Sequence, residues 1–196
     1  LGDVYKRQEI NELRRKLISQ LSDRRAAPPQ RRSGRLPAMP KNVPSIADPA
    51  IIFQVRTEEQ LTGELAELKP DYLYVPALLA AARFELVRPF AEKGARLVAV
   101  LPRVITDDQA RDVYPALEKL FDYGVNEALV GNLGHVFMAR GAGMKVRGDF
   151  GLNAFNSQTL DVLCQAGFLS ATASFELRLA QIKALAKPLD TEMIIY

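Results

Sequence analysis

The sequence is poor in the residues around which hydrolases are usually built. A single cysteine, Cys164, in 196 residues excludes an internal disulfide and a multi-cysteine metal site, and it fits a reducing, cytoplasmic setting. It falls in a helical pattern among Val162, Leu163 and Ala166, where a thiol reads as core rather than nucleophile. The single histidine, His135, stands at a helix start without a His-Glu-x-x-His pattern, which argues against a zinc hydrolase. No serine occupies a Gly-x-Ser-x-Gly elbow. No apolar run approaches the ~20 residues that span a membrane, and nothing resembles a signal peptide. A Gly-rich turn after the first strand is also missing. Arg56-Thr57-Glu58 stands there, and Gly141-Ala142-Gly143 follows a helix instead of a strand, so a dinucleotide fold is not indicated.

What is present is an ordinary globular composition, 48% hydrophobic and 25% charged, with material for one good core. The charge is unevenly placed. Residues 1–45 hold 11 Lys or Arg against 4 Asp or Glu, a net +7, while residues 46–196 hold 15 against 19, a net −4. The basic balance of +3 therefore belongs to the amino-terminal segment, and composition alone shows no nucleic-acid patch on the globular part.

Three zones follow. Residues 1–8, Leu1-Gly2-Asp3-Val4-Tyr5-Lys6-Arg7-Gln8, resemble the translated read-through of a sequencing adapter at the edge of a metagenomic assembly, and are set aside as a processing scar. Residues 9–23 read as one amphipathic helix, with Ile10, Leu13, Leu17 and Leu21 on a stripe of helical spacing. Residues 24–45 carry five prolines and a run of arginines with few large apolar side chains, the composition of a flexible linker. From residue 46 the chain alternates strand and helix. Strands are expected at 51–56, 71–75, 96–101, 127–131, 145–149, 169–173 and 192–196, short and apolar as strands covered on both faces must be. Thr57 with Gln60 and Thr106 with Gln109 have capping-box spacing. Gly94, Gly124 and Gly167 mark helix ends, and Pro89 and Pro115 are expected to break or kink helices near Arg88 and Tyr114.

Seven strands joined by helical crossovers indicate an α/β fold with a parallel sheet. An open doubly wound sheet would be complete with seven strands, and a (β/α) TIM-type barrel would be one strand short; periodicity does not separate them. In either, ligands meet the carboxyl ends of the strands. Reading off those ends gives Arg56, Arg103, Asn132, Asp149, Asn153, Asn156, Ser174 and Glu176. Arg103 offers a guanidinium fork for a phosphate or carboxylate, or a salt bridge on the rim. Asn132 reads a ligand or shapes a turn. Asp149, Asn153 and Asn156 place more polar groups in one short loop than a connection needs, although Asn156 or Ser157 also suits the N-cap of the next helix. Ser174 and Glu176 suit a helix start.

The last third carries a resemblance. Gly148-Asp149-Phe150-Gly151-Leu152-Asn153-Ala154-Phe155-Asn156-Ser157, the helix start Ser174-Phe175-Glu176-Leu177 and the closing Glu192-Met193-Ile194-Ile195-Tyr196 resemble the collagenase-like peptidase family. That family is numbered thirty-two among peptidases of unassigned catalytic type. The resemblance covers about residues 46–196 and is closest to the carboxyl-terminal half of the long, two-part members. The family's motif opens Glu-x-Phe-x-x-Gly, with Ile194 here in place of the Phe, and continues into a cysteine-bearing run.

The resemblance implies a barrel, truncated here at seven of eight strands, and makes Glu192 a candidate site residue. It implies that residues 9–23 close an inserted upstream domain and that an upstream barrel of the same parent is a partner. It also implies two activities: a peptidase, or oxygen-independent hydroxylation of RNA bases or quinone precursors. The hydroxylases use downstream cysteines to hold an iron–sulfur cluster, with prephenate as hydroxyl source in the RNA cases. We expect the parent to be the RNA-modifying kind, acting on tRNA or rRNA, and this chain to hold no cofactor itself; a scaffold half without chemistry is the further alternative. The substrate-binding candidates are then Arg103, Asn132, Asp149, Asn153, Asn156, Glu176 and Glu192, with no catalytic residue or metal ligand assigned.

Overall fold

A computed structural model describes residues 2–29, 34, 38 and 48–195. Two compact units are present, residues 1–38 and 39–196. The first holds helix α1 (Gly2–Ala26), which begins before and ends after the helix expected at 9–23. Its apolar residues Ile10, Leu13, Leu17 and Leu21 are all exposed. Arg24 and Arg25 belong to its last turn, where cations complement the helix dipole, so they leave the expected linker. The rest of the linker reading lies largely outside the described residues.

The second unit is a seven-stranded parallel sheet: β1 (Ile52–Gln54), β2 (Tyr72–Pro76), β3 (Arg96–Val100), β4 (Glu127–Val130), β5 (Lys145–Gly148), β6 (Ser170–Thr172) and β7 (Asp190–Glu192). Spatial order follows chain order, β1-β2-β3-β4-β5-β6-β7, with every pairing parallel. A doubly wound sheet reverses its strand order at a switch point, whereas a barrel never does. The order therefore resolves the two architectures in favour of a partial (β/α) barrel.

Helices α2 (Gly63–Glu67), α3 (Ala77–Ala82), α4 (Phe84–Glu92), α5 (Asp107–Asp122), α6 (Val136–Gly141), α7 (Ser157–Gln165) and α8 (Leu179–Ala184) connect the strands. Alternation along the strands divides the apolar residues between two faces. Leu73, Val75, Ala99, Ala128, Val130 and Val146 pack outward in the main core, together with Val87, Phe90, Val113, Leu117, Leu120 and Leu160 of the helices. Tyr74, Val98 and Leu129 form a second, smaller cluster on the inner face, with Ile52, Tyr72 and Val100 against it.

The start of α5 follows its sequence signal. The Gln109 backbone N–H donates to Thr106 Oγ1 at 3.3 Å, and the Thr106 N–H donates to Gln109 Oε1 at 3.0 Å. At the turn after β1, Gln60 Oε1 accepts from the N–H groups of both Arg56 and Thr57. Gly124 (φ 90°) follows α5 and Gly167 (φ 77°) follows α7, in the left-handed region expected of helix ends.

Three local expectations are corrected. Pro89 and Pro115, expected to break or kink their helices, lie inside α4 and α5, and neither helix is broken there. A proline in a helix interior costs about 3 kcal/mol, and each fully buried large apolar side chain returns about 1.5–3 kcal/mol. Val87 and Phe90 flank the first proline, and Val113, Ala116, Leu117 and Leu120 surround the second, so tertiary burial outweighs the local preference. The last strand is Asp190–Glu192, not 192–196: Met193, Ile194 and Ile195 are exposed, and Glu192 ends the strand instead of starting it. Ser174 does not start a helix. Residues 174–177 form a turn, in which the Leu177 N–H donates to the Ser174 carbonyl, and α8 begins at Leu179, where Gln181 Oε1 accepts from the Arg178 N–H. No helix among the described residues is long and apolar enough to cross a membrane.

Candidate functional site

Two groups of residues occupy the carboxyl-terminal and inner faces of the sheet. The first is a cleft of about 850 Å³ at the mouth, between the ends of β3, β4 and β5 and helix α7. Arg103, Asn132 and Asn156 line it, as does Gln158, against apolar walls that include Val104, Leu133, Leu152 and Val162. The strand-end reading thus brings three of its candidates together.

Each of the two asparagines also has a structural task. Asn132 Oδ1 accepts from the Gly134 N–H at 2.9 Å and shapes the one-turn helix Leu133–His135. Asn156, not Ser157, caps α7, accepting from the Thr159 N–H at 2.9 Å. Ser157 is buried, and its Oγ accepts from the Ala186 N–H at 2.9 Å. The loop carrying Gly151 lies hard against the end of β4. A Cβ built at Gly151 would stand 2.6 Å from the Gly131 carbonyl oxygen, so glycine is required there for space.

Asp149 directly follows β5 and stands next to Gly131 of the cleft lining. Its Oδ1 accepts from the Phe150 N–H at 2.8 Å, while Oδ2 lies 3.6 Å from where a Gly131 Cβ would be. That position is also 4.0 Å from Arg103 Cγ. Burial pushes the Asp149 carboxyl above the usual aspartate value, and the negative charge of Glu192 adds to it. The Phe150 N–H and the Arg103 guanidinium pull the other way without prevailing.

The Phe150 and Phe175 rings meet edge to face, with centroids 5.7 Å apart, and the Arg103 guanidinium sits over Phe150 at 5.9 Å. Phe175 is 66% exposed, a large aromatic face left to solvent. Sequence reasoning missed this set, although Phe150, Phe155 and Phe175 all lie in the strand-end loops it singled out.

The second group is an ionic network on the inner face. Arg147 of β5 pairs with Glu127 of β4 through Nε and with Glu192 of β7 through Nη1 at 3.1 Å. The three side chains are 5%, 12% and 11% exposed, so the pairing replaces solvation. Arg147 also donates to Ser170 Oγ at 2.9 Å and lies over the Tyr72 ring at 4.3 Å. Glu192 Oε1 further accepts from Tyr74 Oη at 2.8 Å and from Ser170 Oγ. Burial alone would lower the Arg147 pKa; Tyr74 and Glu127 more than compensate and hold it above the usual value. Burial, then the Glu192 charge, pushes the Tyr74 hydroxyl well up, so it stays a donor.

Glu192, a candidate, is therefore placed inside the barrel and not on its rim. Glu127, Arg147 and Glu192 thus place charges on the inner face, which elsewhere carries Tyr74, Val98 and Leu129.

The remaining candidates are not gathered in. Asn153 is exposed and takes the left-handed conformation (φ 52°) that ends the turn Phe150–Leu152, a role its short amide suits. Glu176 is exposed in the turn after β6, and the Ser174 hydroxyl accepts from its N–H at 3.4 Å. Arg56 is exposed after β1.

Cys164 is half-buried, and its Sγ donates to the Pro188 carbonyl at 3.4 Å. His135 is buried with Nδ1 unpartnered, and burial lowers its pKa. Among the described residues no group of three or more His, Cys, Asp or Glu is placed to hold a metal ion.

A sheet of seven consecutive parallel strands with a cleft at their carboxyl ends defines a partial (β/α) barrel, a class of fold in which ligands meet the carboxyl-terminal mouth. The chain matches the family model described as peptidase family U32 over residues 81–196, and it belongs to that family. The matched span starts later than the resemblance drawn from about residue 46, but it includes the cleft and the pairing of Arg147 with Glu127 and Glu192. No curated protein and no solved structure matched the chain.

Proposed function

We propose that this chain is the binding half of an RNA-base hydroxylation enzyme, and that the barrel mouth receives an unpaired base of tRNA or rRNA. The observation that carries the reading is the pairing of a stacked guanidinium, Arg103 over Phe150, with the exposed face of Phe175 beside a cleft lined by amides. Single-stranded RNA is held by stacking on aromatic and guanidinium planes and by hydrogen bonds to base edges. An asparagine amide has both a donor and an acceptor for such an edge. The peptidase alternative needs an activated nucleophile, and here the one thiol faces a backbone carbonyl while the one imidazole is buried.

An iron–sulfur cluster, which the family resemblance implies for the parent, does not fit the residues present. Such clusters take several cysteine thiolates, and this chain has one. In this reading the cluster is supplied by other residues of the parent, as is the neighbouring barrel, and what this chain supplies is the seat for the base.

The test is fluorescence-anisotropy titration of the chain with a labelled single-stranded RNA. Phe175→Ala is expected to weaken binding about tenfold, since a base–aromatic stack is worth about 1–3 kcal/mol. Arg103→Ala is expected to lower the salt slope by about 1, the signature of a lost phosphate contact. Equal affinity for all three proteins, or hydrolysis of gelatin by the purified chain, would sink the proposal.

A further inference from the structure

Two carboxylates share the inner face near the mouth, and their surroundings differ sharply. In the sheet register Gly148 stands opposite Ala171 and Thr172 opposite Glu192. Asp149, Thr172 and Glu192 thus occupy one row across three strands. Glu192 is surrounded by donors: Arg147 Nη1, Tyr74 Oη and Ser170 Oγ on Oε1, and Thr172 Oγ1 at 3.4 Å from Oε2. Asp149 accepts one backbone N–H on Oδ1, and its Oδ2 lies 3.6 Å from where a Cβ of Gly131, a residue of the cleft lining, would stand. When two neighbouring acids are provided for so unequally, the donor-rich one keeps its charge and the donor-poor one takes the proton.

We propose that Asp149 is the proton-exchanging group of the barrel mouth, presenting Oδ2 to a lone-pair atom of the ligand, with the Arg147-paired Glu192 as its charged partner. The class of ligand group follows from the chemistry. A carbonyl oxygen or unprotonated ring nitrogen accepts from the protonated carboxyl, and an N–H donates to it once the proton has left. The charged groups acting on Asp149 are Arg103, from the end of β3, and Glu192, from β7. Glu127 and Tyr74, from β4 and β2, bind Arg147 and Glu192 respectively. Burial of Asp149 and the Glu192 charge both favour the protonated form, in agreement with the donor count.

The inference rests on the mouth as a ligand-binding face, yet its test uses no ligand, so its failure is separable from failure of the RNA reading. Carboxyl ¹³C resonances of the whole chain are followed against pH, with Asp149 assigned by its loss in Asp149→Asn. The Asp149 midpoint is expected above the ordinary value of about 3.9. Glu192→Gln, which removes a negative neighbour, is expected to lower that midpoint. Arg103→Gln, which removes a positive neighbour on the exposed rim, is expected to raise it.

Stability supplies a second readout. An acid whose pKa rises on folding contributes stability that is present in full below its unfolded value and lost as pH rises through its folded value. Asp149→Asn keeps the Oδ1 acceptor for the Phe150 N–H, and its melting temperature is expected to gain on the parent chain as pH rises through that window. If Glu192→Gln fails to fold, Arg103→Gln decides. A parent midpoint in the ordinary aspartate range, or one unmoved by Arg103→Gln, overturns the proposal.

Discussion

Arg147→Ala is expected to destabilise the barrel by about 3–5 kcal/mol, the usual cost of leaving a buried charge without its partner. Against a total stability of about 5–15 kcal/mol for a domain, that is a large loss. The reason lies in the two carboxylates left behind. Glu127 and Glu192 are nearly as buried as the arginine, and on its removal neither retains a cation. The Tyr72 ring loses the guanidinium stacked on it as well. Urea denaturation of the two proteins side by side measures the difference. Replacing all three charges together, by Arg147→Met, Glu127→Leu and Glu192→Leu, is expected to recover most of the loss, because no unpaired charge then remains inside. A cost below about 1 kcal/mol for Arg147→Ala would place the network in contact with water, at the value of an exposed pair.

Gly151→Ala is expected to cost about 1–3 kcal/mol and to deform the cleft. The added methyl would meet the Gly131 carbonyl oxygen at 2.6 Å, its Cα at 3.2 Å and its carbonyl carbon at 3.3 Å. All three are backbone atoms at the end of β4, so no side chain can swing aside. The loop after β5 must instead draw back, taking the cleft residues Gly151 and Leu152 with it. Gly131→Ala provides the contrast, since a methyl there meets nothing closer than 3.6 Å. Thermal melts should separate the two variants, and RNA titration should show that Gly151→Ala loses affinity while remaining folded.

The strand positions were legible because apolar and turn residues alternate cleanly from residue 51 onward, and five of the seven strands end within a residue of their expected carboxyl terminus. Glu192 shows where that legibility stopped. The apolar run Met193-Ile194-Ile195 attracted the strand assignment, but burial on the inner face depends on the curvature of the whole sheet, and there the charged residue was needed. Arg147 was illegible for the same reason. In isolation a lone charge in a strand reads as a solvent-facing position, and only partners 20 and 45 residues away reveal it as internal. Ser174 illustrates a different limit. Its hydroxyl and the acid two residues later suit a helix start and a turn equally, and the cap was settled by Gln181 further along. At the mouth, strand-end logic located Arg103, Asn132 and Asn156 because each lies within four residues of the end of a strand or of the one-turn helix after it. The edge-to-face contact of Phe150 with Phe175 joins loops after β5 and β6, and adjacency of that kind is not written in local spacing.

The bond from Tyr74 to Glu192 spans 118 residues of chain and joins the second strand to the last. Contacts so distant in sequence are slow to form, because the chain must close a long loop before they repay its entropy. During synthesis the early strands emerge first, with Tyr74 and later Arg147 waiting for a carboxylate at the far end of the sheet. The ionic inner face therefore ties the seventh strand to the second and the fifth. Until the seventh strand docks, Arg147 has only Glu127 for a counter-charge, and a nascent chain stalled before Glu192 is expected to be held open at its centre by an arginine still seeking water.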